Sequence, residues 1–328
     1  MKSLPSELYH TVSIVTPKSS EFDEELDRRW HAAPLWYHLD EVKTRILEGR
    51  YGFVVQLNTK RSEKRRKPED IHCTQQPFDE KKFNFTKIDE REVLFRRDDD
   101  LIAINVSPLE KCHCLAIPSV KECLPQILTP AGLNLTLDIM FRSASPDLRG
   151  GFNSLGGFAS VNHQHLHVYY LQVRMVLEIA PVEKLSAPGV FTLVDYPARG
   201  LVFSVNAGDR SPLNTLFRVV SLLNENNIAY NVFTTRGSSP EISYFCKPTT
   251  YEVIRIYLWA RRPYFGVKSK QNCGFNVALC ELAGHIPVND MGVYNELTEE
   301  TVSKELRVNC DEEYRKMMAL LKDNNVLS

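Results

Sequence analysis

The chain has 328 residues, 43% hydrophobic and 25% charged, with a formal net charge of -1 at pH 7. Such a length holds one large domain or two ordinary ones with a sizeable core. The near-zero charge excludes a global pull toward nucleic acid or anionic lipid, so any anion site has to be local. With no apolar run of about 18 residues and no basic-then-apolar start, the expectation is a soluble, cytoplasmic protein that engages no membrane.

From the N-terminus, Phe22, Leu26 and Trp30, followed by Leu39, Val42 and Ile46, recur at spacings of three and four. This predicts a helical lead-in within 1–50, ended by Gly49. Residues 51–57 have the β-branched and aromatic content of a strand. The basic stretch 60–67 before Pro68 reads as a solvated loop, with a nuclear-import signal or a phosphate-facing patch as alternatives. Phe83, Asn84 and Phe85 read as a short alternating strand that buries its aromatics and leaves Lys81, Lys82 and Lys87 in solvent. Strands are predicted at 92–96, 101–106 and 113–117, forming an antiparallel meander, and a helix at 130–143 with Leu133, Leu137 and Met140 on one face. A glycine-rich loop then spans 149–158.

The second half repeats a comparable order: strands at 172–180 and 201–205, a helix at 213–226, and strands at 229–235 and 252–260. A distant duplication would explain it, although no histidine run recurs. Arg261 with Arg262 is a candidate anion site. Glu281 and His285 suit a buried pair or a cap as well as a substrate contact. The eight cysteines contain no Cys-x-x-Cys pair and read as reduced thiols; Cys112 and Cys114 lack the second paired element that zinc clusters usually have.

The chemistry-bearing segment is Val161 to Leu171, in which His163, His165 and His167 alternate with other residues. On a strand of period two they share one face, and three imidazoles on one face call for a polar site. A wet edge, a zinc site and a nucleophile acting at phosphorus all fit. A neutral imidazole can attack a phosphoanhydride and form a phosphoramidate that a second acceptor resolves. Gly150, Gly151, Gly156 and Gly157 would let backbone amides approach the anion, and Ser154 and Ser160 would add hydroxyls, which favours the last reading.

The run resembles the histidine triad superfamily, in which the middle histidine is the nucleophile. That implies His165 as nucleophile, flanked by His163 and His167 contacting phosphate oxygens. Residues 101–118 are similar to the superfamily's paired strands, with Asn105 at the ribose-binding position, and Gln164 stands where an apolar residue is usual. Segments at 49–58, 76–79, 82–87, 153–171 and 275–285 resemble the GDP-hexose phosphorylases, and His167 matches the animal GDP-D-glucose branch better than the plant GDP-L-galactose one. The resemblance implies an α+β fold of two histidine-triad-like halves with antiparallel sheets and flanking helices, 51–171 catalytic and 172–328 degenerate. It implies guanylyl transfer from GDP-D-glucose to inorganic phosphate without metal or cofactor, with Asn105, Asn153, Ser154, Gly156, Gly157 and Ser160 at the substrate. The alternatives are a GDP-sugar hydrolase, in which water resolves the intermediate, and a non-catalytic guanine-nucleotide binding module. Oligomeric state is left open.

Overall fold

Ser20 starts the first helix, α1 (Glu21–Ala32), by accepting the Asp23 N–H while the Asp23 carboxylate accepts the Ser20 N–H. Two amides that a helix start leaves without partners are thereby satisfied. Leu26 and Trp30, one turn apart, are the buried stripe. These elements belong to a computed structural model that describes residues 19–37, 39, 42–63, 66–240, 253–267 and 274–327. Lys64, Arg65, Cys246 and Cys273 lie outside the described residues.

The second run of the expected helical lead-in is instead a strand. β1 (Lys43–Ile46) pairs antiparallel with β2 (Val54–Leu57), and β15 (His285–Val288) adds to β2 in parallel. Gly49 at φ +143° and Gly52 at φ +55° shape the turn between β1 and β2. The Glu299 carboxylate accepts the N–H groups of Arg50, Tyr51 and Gly52 at 2.6, 2.7 and 3.0 Å. A residue some 250 positions away thus stabilises a hairpin where local spacing suggested a helix.

After the short helix α2 (Lys60–Glu63) and the two-residue strand β3 (Asp70–Ile71), the meander forms as expected: β4 (Val93–Arg97), β5 (Asp100–Ile104) and β6 (Cys114–Ile117). The predicted strand at 83–85 is replaced by a 3-10 turn, Phe85–Lys87, because the Asn84 side chain caps it at Thr86 N–H. Thr129 and Pro130 start α3 (Pro130–Arg142), whose Leu133, Leu137 and Met140 are buried. Next come β7 (Leu148–Asn153) and β8 (Leu166–Tyr170).

The second half contributes β9 (Val182–Lys184), β10 (Val190–Leu193), β11 (Leu201–Val205), α4 (Pro212–Glu225), β12 (Ala229–Gly237) and β13 (Val253–Arg261). All ten strands from β4 to β13 join one antiparallel sheet in the order β4-β5-β6-β8-β7-β12-β13-β11-β10-β9. Read outward from the β7–β12 pair, each side has the same sequence of connections: a meander, a helix, then a hairpin whose second strand returns beside the meander. The chain continues through β14 (Gly266–Val267), α5 (Leu279–Leu282), β15, α6 (Met291–Glu296) and the long α7 (Glu299–Asp323).

The sheet separates two apolar cores. On one face α1, α3, α4 and the last turns of α7 pack against Cys114, Val168, Ile256 and Leu258. On the other, Tyr169, Tyr257 and Trp259 pack with α5, β2, β15 and the first turns of α7. Gly150 and Gly151 belong to β7, not to a loop. A Cβ on Gly150 would lie 2.5 Å from Thr234 Oγ1, and one on Gly151 would lie 2.3 Å from Leu279 Cδ1. They are glycine because both faces of the sheet close on them, not to receive an anion. No described helix is long and apolar enough to cross a membrane.

Candidate active site

A cavity of about 310 Å³ opens between the main sheet and the small sheet β1-β2-β15. Its wall includes His113, Asn153, Ser160, His165, His167 and Tyr169, with Asn58 and Arg61 from the segment after β2 and residues 274–276, 278–281 and 287–289 from beyond β13. The histidine run is a strand only from Leu166 onward. His167 and Tyr169 therefore alternate onto the cavity face as period two requires, whereas 161–165 is an irregular approach.

That approach is tightly held. Gln126 clamps His165 from both sides, its Oε1 accepting the His165 N–H at 2.9 Å and its Nε2 donating to the His165 carbonyl at 3.0 Å. Asn162 accepts from Gln126 N–H and donates to the carbonyls of Gln76 and Pro77. Gln164 turns to the opposite face, where it accepts from Thr129 Oγ1 and donates to the Ile127 carbonyl.

The ring orientations follow from these bonds. His165 Nδ1 lies 2.8 Å from the His163 carbonyl, which can only accept, so Nδ1 carries the proton and the Nε2 lone pair is left for the cavity. Leu109 N–H donates to His113 Nδ1 at 2.9 Å, which puts the His113 proton on Nε2. That proton is given to His167 Nδ1 at 3.0 Å, and His167 in turn holds its own proton on Nε2. A lone pair and a donor thus stand on adjacent rings 5.4 Å apart.

Burial holds His165 down at about 4 against an ordinary 6.5, so it is neutral at physiological pH. His163 is likewise held at about 4, by burial first and by its neighbour His165 second. Burial pushes His113 well below its ordinary value, with the Arg61 charge adding to it. Phe85, ring centroid 5.0 Å from that of His165, supplies the apolar backing.

Several expected contacts are placed elsewhere. The His163 ring accepts the Phe85 N–H at 3.0 Å, packs against Phe78 and Phe85, and does not line the cavity; its carbonyl is the part that serves His165. Ser154 accepts the Tyr230 N–H and donates to the Leu155 carbonyl, and the Gly157 N–H is taken by the Ser154 carbonyl. Neither lines the cavity, nor does Gly156, whose φ of +75° turns the chain under Phe265. The expected anion loop is therefore a folded turn that closes on itself. Asn105 also lies behind the wall, 3.2 Å from His113 Nε2. Asn153 is in the wall, its Oδ1 accepting from Asn231 Nδ2 and Leu279 N–H, which leaves its amide protons as donors.

Other candidates resolve structurally. Arg261 donates to the Val277 carbonyl and lies 4.7 Å over the Phe158 ring. Glu281 caps α5 by accepting the Ala278 N–H at 3.0 Å while also lining the cavity. His285 is buried 3.9 Å from the Glu110 carboxylate, which burial pushes up to about 7. Lys87 donates to the Glu80 and Lys82 carbonyls. Cys112 and Cys114 point into the helix-side core, and no cluster of three or more metal-ligating side chains occurs among the described residues. Local pattern did not single out Gln126, Asn58, Arg61 or Asn276. Each reaches the site from a distant segment; the basic composition at 60–67 gave a signal for Arg61, and the resembling segments 49–58 and 275–285 contain Asn58 and Asn276.

The chain matches the family described as GDPGP1-like, N-terminal domain, over residues 21–169, and the GDPGP1-like, C-terminal domain, over residues 175–317. It is 41% identical over 297 residues to GDP-D-glucose phosphorylase 1 of Danio rerio, across 86% of this chain and 84% of that one. It is also 41% identical over 300 residues to the Homo sapiens protein of the same name, across 85% and 77%. Arabidopsis thaliana GDP-L-galactose phosphorylase 2 is 32% identical over 321 residues, across 89% and 72%. Among solved structures, yeast Ap4A phosphorylase Apa2 in complex with Ap4A superposes with a TM-score of 0.61 at 15% identity, over 89% of this chain and 97% of that chain, a likeness of fold.

Proposed function

The chain belongs to the GDPGP1-like family, and from that premise we propose that it is a cytoplasmic phosphorylase that converts GDP-D-glucose and inorganic phosphate to GDP and glucose 1-phosphate. The observation that carries the chemistry is His165: a neutral ring whose Nδ1–H is tied to the His163 carbonyl and whose Nε2 lone pair is left for the cavity.

In the first step Nε2 attacks the guanylyl phosphorus. The bond to the bridging oxygen breaks, and its electron pair leaves on glucose 1-phosphate. The ring becomes positively charged, which strengthens the Nδ1–H bond to the carbonyl in the transition state, where it counts toward rate. In the second step a phosphate oxygen bonds to the same phosphorus, and the electron pair of the P–N bond returns to Nε2. His167 Nε2–H and the Asn153 amide are the donors assigned to the non-bridging oxygens, and Ser160 a further contact; loss of one such donor typically costs about 10²–10³ in rate. The chemistry draws on imidazoles and amides.

The repeated strand order supports a duplication of two histidine-triad-like units, 51–171 catalytic and 172–328 having lost the nucleophile. The test is product analysis of the purified chain with GDP-D-glucose, with and without inorganic phosphate, beside His165→Asn. Phosphate-dependent GDP and glucose 1-phosphate, lost in the variant, is the expected result. GMP formed without phosphate would replace this reading with a hydrolase, and absence of turnover would point to another nucleotide sugar or a binding role.

A further inference from the structure

Two phosphoryl groups have to pass through a cavity whose imidazoles are neutral. The diphosphate of a nucleotide sugar carries about two negative charges at neutral pH, and inorganic phosphate one to two. Burying them uncompensated is costly. Among the described wall residues Arg61 is the one Arg or Lys, and Glu281 the one carboxylate.

Arg61 is also built into the catalytic wall. It sits on α2, just past β2. Its N–H donates to the Asn58 Oδ1 at 3.1 Å, and its Nη1 donates to the Ser107 carbonyl. Ser107 N–H donates in turn to the Asn105 Oδ1 at 3.1 Å, and the Asn105 amide lies 3.2 Å from His113, the ring that orients His167. Its charge depresses both His113 and His285, which places the guanidinium within electrostatic reach of the imidazoles. A planar fork held this way is matched to the oxygens of a phosphoryl group.

We propose that Arg61 holds the phosphoryl group that exchanges at the guanylyl phosphorus: the sugar phosphate as it leaves and inorganic phosphate as it enters. This rests on the phosphorolytic reading above. In the resolving step, Arg61 bound to two phosphate oxygens leaves a third to form the new P–O bond as the P–N bond to His165 breaks. Arg61 thereby favours phosphate over water as the acceptor.

The experiment compares the full chain with Arg61→Ala and Arg61→Lys, each checked for native circular dichroism. Arg61→Gln replaces the alanine variant if that one does not fold. Two readouts are taken: the inorganic phosphate dependence of GDP formation together with the GMP share, and calorimetric titration with inorganic phosphate alone. The expected result is a KM for phosphate raised about tenfold or more in Arg61→Ala, a larger GMP share, and partial recovery in Arg61→Lys. A purely structural Arg61 would lower thermal stability without moving that KM. A folded Arg61→Ala chain that uses and binds phosphate within about twofold of the unsubstituted one overturns the proposal, as does an unsubstituted chain that binds none at millimolar concentration. If GDP-D-glucose yields no guanylyl-enzyme yet titration still separates the variants, the phosphorolytic reading fails while the phosphate site stands.

Discussion

The two strands that return beside their meanders, β8 and β13, occupy corresponding places in one sheet and use the same face in opposite ways. On β8 that face presents His167 and Tyr169 to a cavity that His165 also lines. On β13 it presents Arg255, Tyr257 and Trp259, all fully buried; the two aromatic rings stack 5.6 Å apart at 11°, and the Tyr257 hydroxyl and Arg255 both donate to the Leu177 carbonyl. One topology thus yields a site where the face is left open and a core where it is filled. Strand order alone does not make chemistry.

The comparison breaks first at His165. His165→Asn keeps the Gln126 clamp on the backbone but removes the proposed Nε2 nucleophile, and kcat/KM should fall about 10⁴-fold or more with the fold intact; a loss below tenfold would return β8 to the status of β13. Trp259→Ala, on the filled face, should cost about 3–5 kcal/mol in a urea melt, while activity per folded molecule stays close to that of the unsubstituted chain. Loss of activity in the surviving folded fraction would show that the second half reaches into the chemistry.

His113→Phe tests the support beneath the open face. It removes the Nε2–H that fixes His167, and the expected loss is about 10- to 100-fold in kcat, the scale of an orienting partner, together with about 1–3 kcal/mol of stability because the buried Leu109 N–H loses its acceptor. The last effect is on pH and grows only as the solution is made acid. His163 and His165 at about 4, and His285 at about 3, bind protons more weakly folded than unfolded, where 6.5 is ordinary. Their contribution to stability is full above 6.5 and declines as pH falls toward those values, at about 1.4 kcal/mol per unit per group at most. Activity should likewise persist to about pH 5; an acid limb centred at 6.5 would contradict a buried, neutral nucleophile.

What could be read locally was read well. The meander at 92–117 and α3 follow from β-branched runs, turn residues and a Thr-Pro cap, all of which act within a few positions. Hydrophobic spacing failed at 43–46, where a strand is held in place by β2 and its turn by Glu299. Glycines failed in a different way: Gly150 and Gly151 look in sequence like loop residues that admit an anion, yet their use is the absence of a Cβ between Thr234 and Leu279. Composition does not separate those two uses of glycine.

The sequence by itself singled out His165 as the candidate nucleophile and gave its company of histidines, because a histidine run of that spacing is a local chemical statement; the reaction family came from the resemblance spread over the rest of the chain. Only the tertiary structure decided which His165 nitrogen is left for the cavity, that His163 meets His165 through its carbonyl and not its ring, that Asn58 and Arg61 line the cavity, and that Gln126 clamps His165. Those facts depend on hydrogen bonds and charges between segments tens to hundreds of residues apart, and such contacts exist only once the sheet has brought the segments together.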